Sequence, residues 1–471
     1  MLKSVWKDMR EFIDYITERG ECVHITEEVD PDWEVNGITR EALQNMGPAI
    51  IFDKIKGAGF PLVTGMIAND KRFLWAFGLE KWSDFNEEWV RRTKQLIPPK
   101  IVASGPCQEV FIEGKDIDVN KICNVKWHEY DAGPFPGTLS VSITKDPDTG
   151  LQNAGIYRMG TLARNRLGWG APEYTHGRQH YMKYERLGKP MPMAVITGYD
   201  PIVEIVSCTR TGPGVDEFHL AGALRGEPLE MVKCKTIDLE VPATAEFVFE
   251  GYIYPGSREP EGGFGEYTGY YGETRMNPVF EIKAITHRQN PIYLGTREQW
   301  YPSESALAVG RSSQAEAYKV LKTLVPGLLD LRCDVTYEAI AKIDKLFKGH
   351  PQQVIDAIWG STYARYKHVI VVDKDIDIWD YDQVHWALST RVLADRDVNI
   401  LPRRAGQWLD PAISLREKGW QTGLGIDATM PWEEYEFWGE KAPRTVDDPD
   451  TVQKVRDKWG EKLEKIINSN Q

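Results

Sequence analysis

The hydrophobic period of this chain changes twice, and those changes constrain the fold more than any composition figure. Near residue 105 it passes from helical spacing to strict alternation, as in EVFIEG, LSVSITKD, LQNAGIYRM and MAVITGYD. KTIDLEVPATAEFVFEGYI and FEIKAITHRQNPIYLG continue the β pattern. Pro147-Asp148-Thr149-Gly150 is a turn signal, so residues 139–160 read as a hairpin. The Asn290-Pro291 step marks another hairpin. Short strands over about 200 residues argue for a barrel. Past residue 302 the helical period returns. Residues 303–325 read as one helix, with Ser303 or Ser305 as N-cap.

The flanks of this β region mix both periods. Trp6, Met9, Phe12, Ile13 and Ile16 recur at helical spacing. AIIFDKIKG and FPLVTGM read as strand, turn and strand, and residues 70–100 as helical up to Pro98-Pro99. After the 303–325 helix, LLDLRCDVTYEAIAKI, PQQVIDAIWGS, KHVIVVDKDIDIWD and YDQVHWALSTRV alternate strand and helix. The last segment, DPDTVQKVRDKWGEKLEKIINS, is a charged amphipathic helix that packs on its own chain or on another subunit. The expected fold class is multidomain α/β (α+β). Its parts are an N-terminal α/β domain (1–104), a β-barrel (105–302), a linker helix (303–325) and a C-terminal α/β domain (326–471). A chain of 471 residues supplies ample core without disulfide or metal staples.

Charge and motifs exclude several classes. Lys+Arg total 57 against 70 Asp+Glu, a net charge of −13 that disfavours nucleic acid as the main partner. No apolar run approaches the ~20 residues of a membrane span. The first twenty residues are charged and lack a secretory apolar core. The six cysteines form no CxxC, which points to reduced thiols and a cytoplasmic location. There is no Walker A sequence, no G-x-G-x-x-G, no HExxH and no G-x-S-x-G.

Four constellations carry chemical potential. Residues 258–272 place Glu261 and Glu266 in a Gly-rich loop. Paired carboxylates can split their pKa values so that one holds a proton near neutral pH; a solvated loop is the bland alternative. Asn153-Ala-Gly-Ile-Tyr-Arg158 offers a carboxylate clamp in Arg158. Strand alternation puts Asn153 and Arg158 on opposite faces unless a bulge intervenes at Gly155. His176 and His180 stand four apart, as metal ligands on a helix do, although Gly177 weakens the helix. Asp216-Glu217 precedes a small-residue run and supplies either a hard oxygen ligand or a favourable helix N-terminus.

In this order and spacing the segments resemble the UbiD family of prenylated-FMN-dependent (de)carboxylases. PEGGFGEYTGYYG is similar to the family's EGPFGDHTGYY or EGPFGE segment, and NAGIYRM to its NxGIYR. DEFHLAGALRGEP resembles SEYxxAG, ALSTRV the C-terminal ATR segment, and GIDAT closes the series. The resemblance implies a catalytic triad of Arg158, Glu261 and Glu266, with Glu266 the proton donor and Arg158 paired to Glu261. It implies a Mn²⁺ (or Mg²⁺) ion bridged to the cofactor phosphate by Asn153, His176 and Glu217; His176 is preferred to His180 because it lies 23 residues after Asn153. Ile156, Tyr157, Ser207 and Cys208 join these at the cofactor, with K⁺ beside Ser207-Cys208.

The implied fold makes the barrel a split, flavin-reductase-like one, with the site between it and the C-terminal domain. The implied reaction is reversible decarboxylation of an aromatic, heteroaromatic or α,β-unsaturated acid, releasing CO₂. A flavin prenyltransferase supplies the cofactor, and the assembly is a homodimer or homohexamer. Gly262-Gly263 stands where Gly-Pro is common, which suggests a looser loop. Gly423 replaces the family's Lys before GIDAT, with Arg403 or Arg404 as candidate substitutes. An FMN-binding oxidoreductase and a non-catalytic subunit of a carboxylase complex are the rival readings.

Overall fold

A computed structural model describes residues 5–431 and 449–468, apart from 213, 301, 335–336, 362–365, 408 and 414–418. Helix Met9–Thr17 forms where the apolar spacing predicts it, capped by the Asp8 carboxylate, which accepts from the Glu11 N–H at 3.0 Å. Its buried face is Met9, Phe12, Ile13 and Ile16. Strand Cys22–Val29 pairs in parallel with Ala49–Ile55, which turns into antiparallel Leu62–Thr64. Residues 70–100 are not one helix. Gly78, at φ +68°, breaks them into Asp70–Ala76 and Trp82–Arg92, and a strand, Lys100–Ile101, comes after Pro98-Pro99.

The centre of the molecule is an eight-stranded antiparallel sheet. Its order runs Gln152–Ile156, Val141–Lys145, Met191–Thr197, Phe247–Glu261, Arg275–His287, Arg166–Gly168, Thr161–Ala163, with Val110–Glu113 also on Arg275–His287. Among the described residues this path does not close into a ring. The predicted 139–160 hairpin is present, its two strands in unbroken register from Val141↔Ile156 to Lys145↔Gln152. The second predicted hairpin is absent. After Asn290-Pro291 the chain leaves this sheet, and Tyr293–Leu294 pairs in parallel with Leu62–Thr64 of the N-terminal sheet. Asn290 adopts φ +48°, a left-handed conformation that Asn tolerates, and this redirects the chain.

Helix Glu304–Leu324 starts at Ser303, whose hydroxyl accepts from the Ala306 N–H at 3.2 Å. Most of its residues are buried, and Glu304 in its first turn accepts the Gly65 and Ile67 N–H groups at 2.8 Å each. Further along, Gln314 accepts the Cys333 N–H at 2.9 Å, so the helix ties the N-terminal unit to the C-terminal one. The C-terminal unit is a mixed sheet in the order Leu328–Asp334, Glu338–Ile343, His368–Asp373, Trp420–Ala428, Val398–Ala405. Arg391 of the ALSTRV segment is spent structurally here, donating to Asp373 at 2.9 Å and to Asp375 at 2.8 Å. The six cysteines are all free. Among the described residues no helix is long and apolar enough to cross a membrane. The predicted tail helix is present as Pro449–Asn468.

One ion pair fixes a helix that lines the functional cavity. Glu185, near the end of helix His176–Arg186, accepts both terminal nitrogens of Arg258 (2.8 and 2.9 Å) and the Gly256 N–H (3.0 Å). The Arg258 hydrogen bonds hold its carboxyl at about 2, below the ordinary 4.5. Its depressed value means the contribution is full above the unfolded-state pKa and is lost as pH falls through about 2. Water screening at this half-exposed pair limits it to about 1 kcal/mol. Urea unfolding should show Glu185→Gln less stable than the parent by that amount at pH 7, with the gap closing below pH ~4.

Candidate active site

Arg158 emerges just past the end of strand Gln152–Ile156. No bulge occurs at Gly155; the strand stops at Ile156, so alternation no longer governs Arg158, and it lines the same cavity as Asn153. The cavity holds about 580 Å³, within the usual range for a small-molecule site. Gly155 has a different task. Tyr157 folds back over it, and a Cβ there would lie 2.5 Å from the phenol oxygen.

The Arg158 guanidinium is held between two carboxyls. Its Nη1 donates to Glu266, and its Nη2 lies 3.4 Å from Glu261 Oε2. Asn277 Nδ2 donates to that same Glu261 oxygen at 2.5 Å. Glu261 ends the long strand Phe247–Glu261 opposite Arg275, and it stands behind the cavity wall while Arg158 and Glu266 line it. Both carboxyls are buried. Burial raises the Glu266 pKa and the nearby Glu261 charge adds to this, against the pull of Arg158. Two carboxyls share the Arg158 cation, and the raised pKa of Glu266 favours its protonated form.

Glycines make this approach possible. A Cβ on Gly168 would stand 2.6 Å from Glu261 Cβ, one on Gly170 2.9 Å from Arg158 Cγ, and one on Gly272 2.9 Å from Arg158 Nη1. The Gly262-Gly263 loop is anchored, not loose. Gly263 sits at φ +67°, which proline cannot adopt, and its carbonyl accepts the Ala132 N–H at 2.7 Å.

A second cluster lies on the same cavity. Glu217 opens helix Glu217–Arg225, capped by Asp216, and accepts the Ala154 N–H and the Thr211 hydroxyl, each at 2.9 Å. Burial pushes its carboxyl up to about 8. His176 opens helix His176–Arg186 and lines the cavity, its pKa lowered by burial. Gly177 does not break that helix; it gives room to the Tyr157 ring, 3.2 Å from where a Cβ would be. His180, one turn on, is not in the cavity lining. Its Nδ1 lies 2.9 Å from the Thr144 hydroxyl. Asn153 Nδ2 and Ser207 Oγ are buried without a hydrogen-bond partner among the described residues, and both residues line the cavity, as do Ile156, Tyr157 and Cys208. Among the described residues no three His, Cys, Asp or Glu side chains converge as a metal cluster. Asn153, His176 and Glu217 offer instead an amide, a neutral imidazole and a carboxyl lacking a counter-charge, a donor set that suits a hard or borderline divalent ion.

Arg403 and Arg404 do not reach the cavity. Arg404 donates to the Tyr366 and Trp359 carbonyls at 2.9 Å each. Gly423 is required beside them, since a Cβ there would lie 2.8 Å from the Trp359 ring. The C-terminal unit lines the cavity through Gln407 and Leu409. Sequence reasoning also passed over Asn277, Arg275, Arg210, Tyr267 and Glu298. Arg275 and Asn277 stand two apart on one strand, a signal that becomes readable only once the Glu261↔Arg275 pairing is known.

Models of the 3-octaprenyl-4-hydroxybenzoate carboxy-lyase (UbiD) match this chain in three segments: the N-terminal domain over residues 13–90, the Rift-related domain over 100–298 and the C-terminal domain over 308–428. The chain belongs to the UbiD family of carboxy-lyases. It is similar to the UbiD-class enzyme HmfF from Pelotomaculum thermopropionicum, solved with FMN, at 33% identity, TM-score 0.85, over 95% of this chain and 98% of that one. Vanillic acid decarboxylase of Sedimentibacter hydroxybenzoicus, in open form, matches at 31% identity and TM-score 0.85 over 99% and 100% of the two chains. The apo 3,4-dihydroxybenzoic acid decarboxylase of Klebsiella pneumoniae matches at 28% and 0.83 over 95% and 99%.

Removing the shared cation of this UbiD-family site leaves two buried carboxyls without it. Arg158→Met should cost about 3–5 kcal/mol at pH 7.5. Without Arg158 the Glu266 pKa rises further, so the penalty grows as pH climbs and shrinks as protonation neutralises the site. Urea unfolding at pH 7.5 and pH 5 checks this; equal losses at both would contradict it.

Proposed function

We propose that this chain catalyses reversible, non-oxidative decarboxylation of an aromatic or heteroaromatic (or α,β-unsaturated) carboxylic acid with prenylated FMN. The observation that carries the proposal is one buried guanidinium shared by Glu261 and Glu266 on the wall of a cavity that also presents Asn153, His176 and Glu217. Kinship with FMN-bound and aromatic-acid-decarboxylating members of the family supports it.

When bound, prenylated FMN supplies the electron sink that lets the carbon–carbon bond break. The chain's own residues manage the proton. Loss of CO₂ from a carboxylate leaves a carbon that must gain one proton, and Glu266 is its donor, its pKa raised by burial. Arg158 then compensates the carboxylate that remains, while Asn277 and Glu261 keep Arg158 in place. Asn153, His176 and Glu217 would hold Mn²⁺ or Mg²⁺ and so neutralise a cofactor phosphate. The unpartnered Ser207 hydroxyl stands in the last turn of helix Pro201–Cys208, where free carbonyls favour a cation, and this suits K⁺.

The same proposal takes the open central sheet as a split barrel within residues 105–302, flanked by units 1–104 and 326–471 around the 303–325 helix. It includes cofactor supply by a flavin prenyltransferase, a homodimeric or homohexameric assembly and a cytoplasmic location.

The protein should be produced with a flavin prenyltransferase, Mn²⁺ and K⁺, its cofactor identified by absorbance and mass spectrometry, and CO₂ release screened over aromatic acids. Glu266→Gln should retain the cofactor and lose decarboxylation by ~10²–10⁴-fold. In the parent enzyme kcat/KM should fall as pH rises through the elevated Glu266 value, since the donor form is then lost. A Gln variant of undiminished activity would favour a flavin oxidoreductase, and a folded protein without flavin would overturn the site.

A further inference from the structure

Glu298 is a cavity carboxyl to which the reaction above gives no task. It lies between strand Tyr293–Leu294 and helix Glu304–Leu324, and it is buried, 7% exposed. The Ser305 hydroxyl donates to its Oε2. Its Oε1 has no hydrogen bond among the described residues, and the side chain lines the cavity together with Val309, Leu409 and Tyr267. An unoccupied carboxyl oxygen that opens onto the cavity is free to meet a polar group of a ligand there.

Its mounting is rigid and shared with Glu266. The Glu298 carbonyl accepts from His128 Nε2 at 2.6 Å, and the His128 N–H donates to Asp131 at 2.9 Å. The other Asp131 oxygen accepts the N–H of Gly265, the residue before Glu266, at 2.9 Å. Gly265 must be glycine, because a Cβ there would lie 2.6 Å from the His128 ring. A polar group held in fixed relation to the proton donor is a natural orienting contact for a substrate.

We propose that Glu298 selects substrates by hydrogen bonding a hydroxyl or ring nitrogen of the acid, remote from the carboxylate that is lost. The inference rests on the reading of this cavity as a carboxylic-acid site. Burial, with Glu266 and Glu304 nearby, pushes the Glu298 carboxyl up to about 8, so it carries a proton at neutral pH. Ser305 occupies Oε2 as an acceptor, which leaves the proton on Oε1 as a donor toward the cavity. A phenolic oxygen or a pyridine-type nitrogen meets that donor, and an unsubstituted ring leaves it unmatched.

The test uses FMN-loaded protein and four probes, benzoate, 3-hydroxybenzoate, 4-hydroxybenzoate and nicotinate, with binding read by calorimetry. The parent should prefer at least one of the three polar acids over benzoate by about tenfold or more. Glu298→Leu should erase that preference, and Glu298→Gln, whose amide N–H₂ still donates, should restore part of it. FMN affinity should stay within about twofold in both variants, well below the effect of losing one buried hydrogen bond. A preference that survives Glu298→Leu, or that is absent in the parent, overturns the inference. So does loss of FMN in both variants, which would make Glu298 a cofactor contact. Binding needs no turnover, so an erased preference alongside a holoenzyme that releases no CO₂ would keep the inference and sink the decarboxylase reading.

Discussion

One guanidinium between two buried carboxyls governs the layout of the central domain. Arg158 satisfies Glu261 and Glu266 at once, yet a single positive charge cannot fully compensate two negative ones inside a low-dielectric wall. Burial with the adjacent Glu261 charge tips Glu266 toward its neutral form, against the pull of Arg158 and Arg275. The surrounding backbone is shaped to allow the triple contact. Gly168, Gly170 and Gly272 come from two separate segments, and each leaves out a side chain that would collide with a member of the triad. The long hairpin Phe247–Glu261/Arg275–His287 then carries Glu261 and Asn277 to the same end of the sheet.

The rest of the chain closes around that arrangement. Helix Glu304–Leu324 is buried along most of its length, and its first turn makes contacts in two directions. Glu304 accepts backbone N–H groups of the N-terminal unit, while the Ser305 hydroxyl donates to Glu298 on the cavity. Gln407 and Leu409 bring the C-terminal unit to the same space. The cavity is therefore lined by the central and C-terminal parts of the chain, while the N-terminal part holds the helix that borders it.

Local signals in the sequence translated into structure where they had a local physical cause. The 139–160 hairpin arises from turn residues between alternating strands, and the start of the 304–324 helix from a serine hydroxyl. The readings that differed depended on where an element ends or what it pairs with. Asn153 and Arg158 share a cavity because a strand stops at Ile156, and alternation carries no information about that. Asn290-Pro291 looked like a hairpin because the turn chemistry is that of one; the partner strand lies in another sheet. Gly177 reads as a helix breaker only while its packing partner, the Tyr157 ring, is unknown. Motif likeness named Arg158, Glu261 and Glu266. It was silent on Asn277 and Glu298, which are placed by contacts across 16 and 170 residues of chain.

The electrostatics of the cavity run against those of the chain. A protein of net charge −13 is a poor attractor of anions at long range. Yet three guanidinium side chains, Arg158, Arg210 and Arg275, line this space. Of the carboxyls that face them, Glu217, Glu266 and Glu298 all have their pKa raised by burial. Behind the wall Glu204 is fully buried with neither oxygen hydrogen-bonded among the described residues, and its pKa is likewise driven up. Burial thus weakens the negative charge of the cavity wall without removing the carboxyl groups. A carboxylate ligand meets three guanidinium groups there, and in the proposed reaction Glu266, beside one of them, is the proton donor. In that proposed reaction, capture of an anion and delivery of a proton then draw on one physical cause, the burial of charged side chains in the cavity wall.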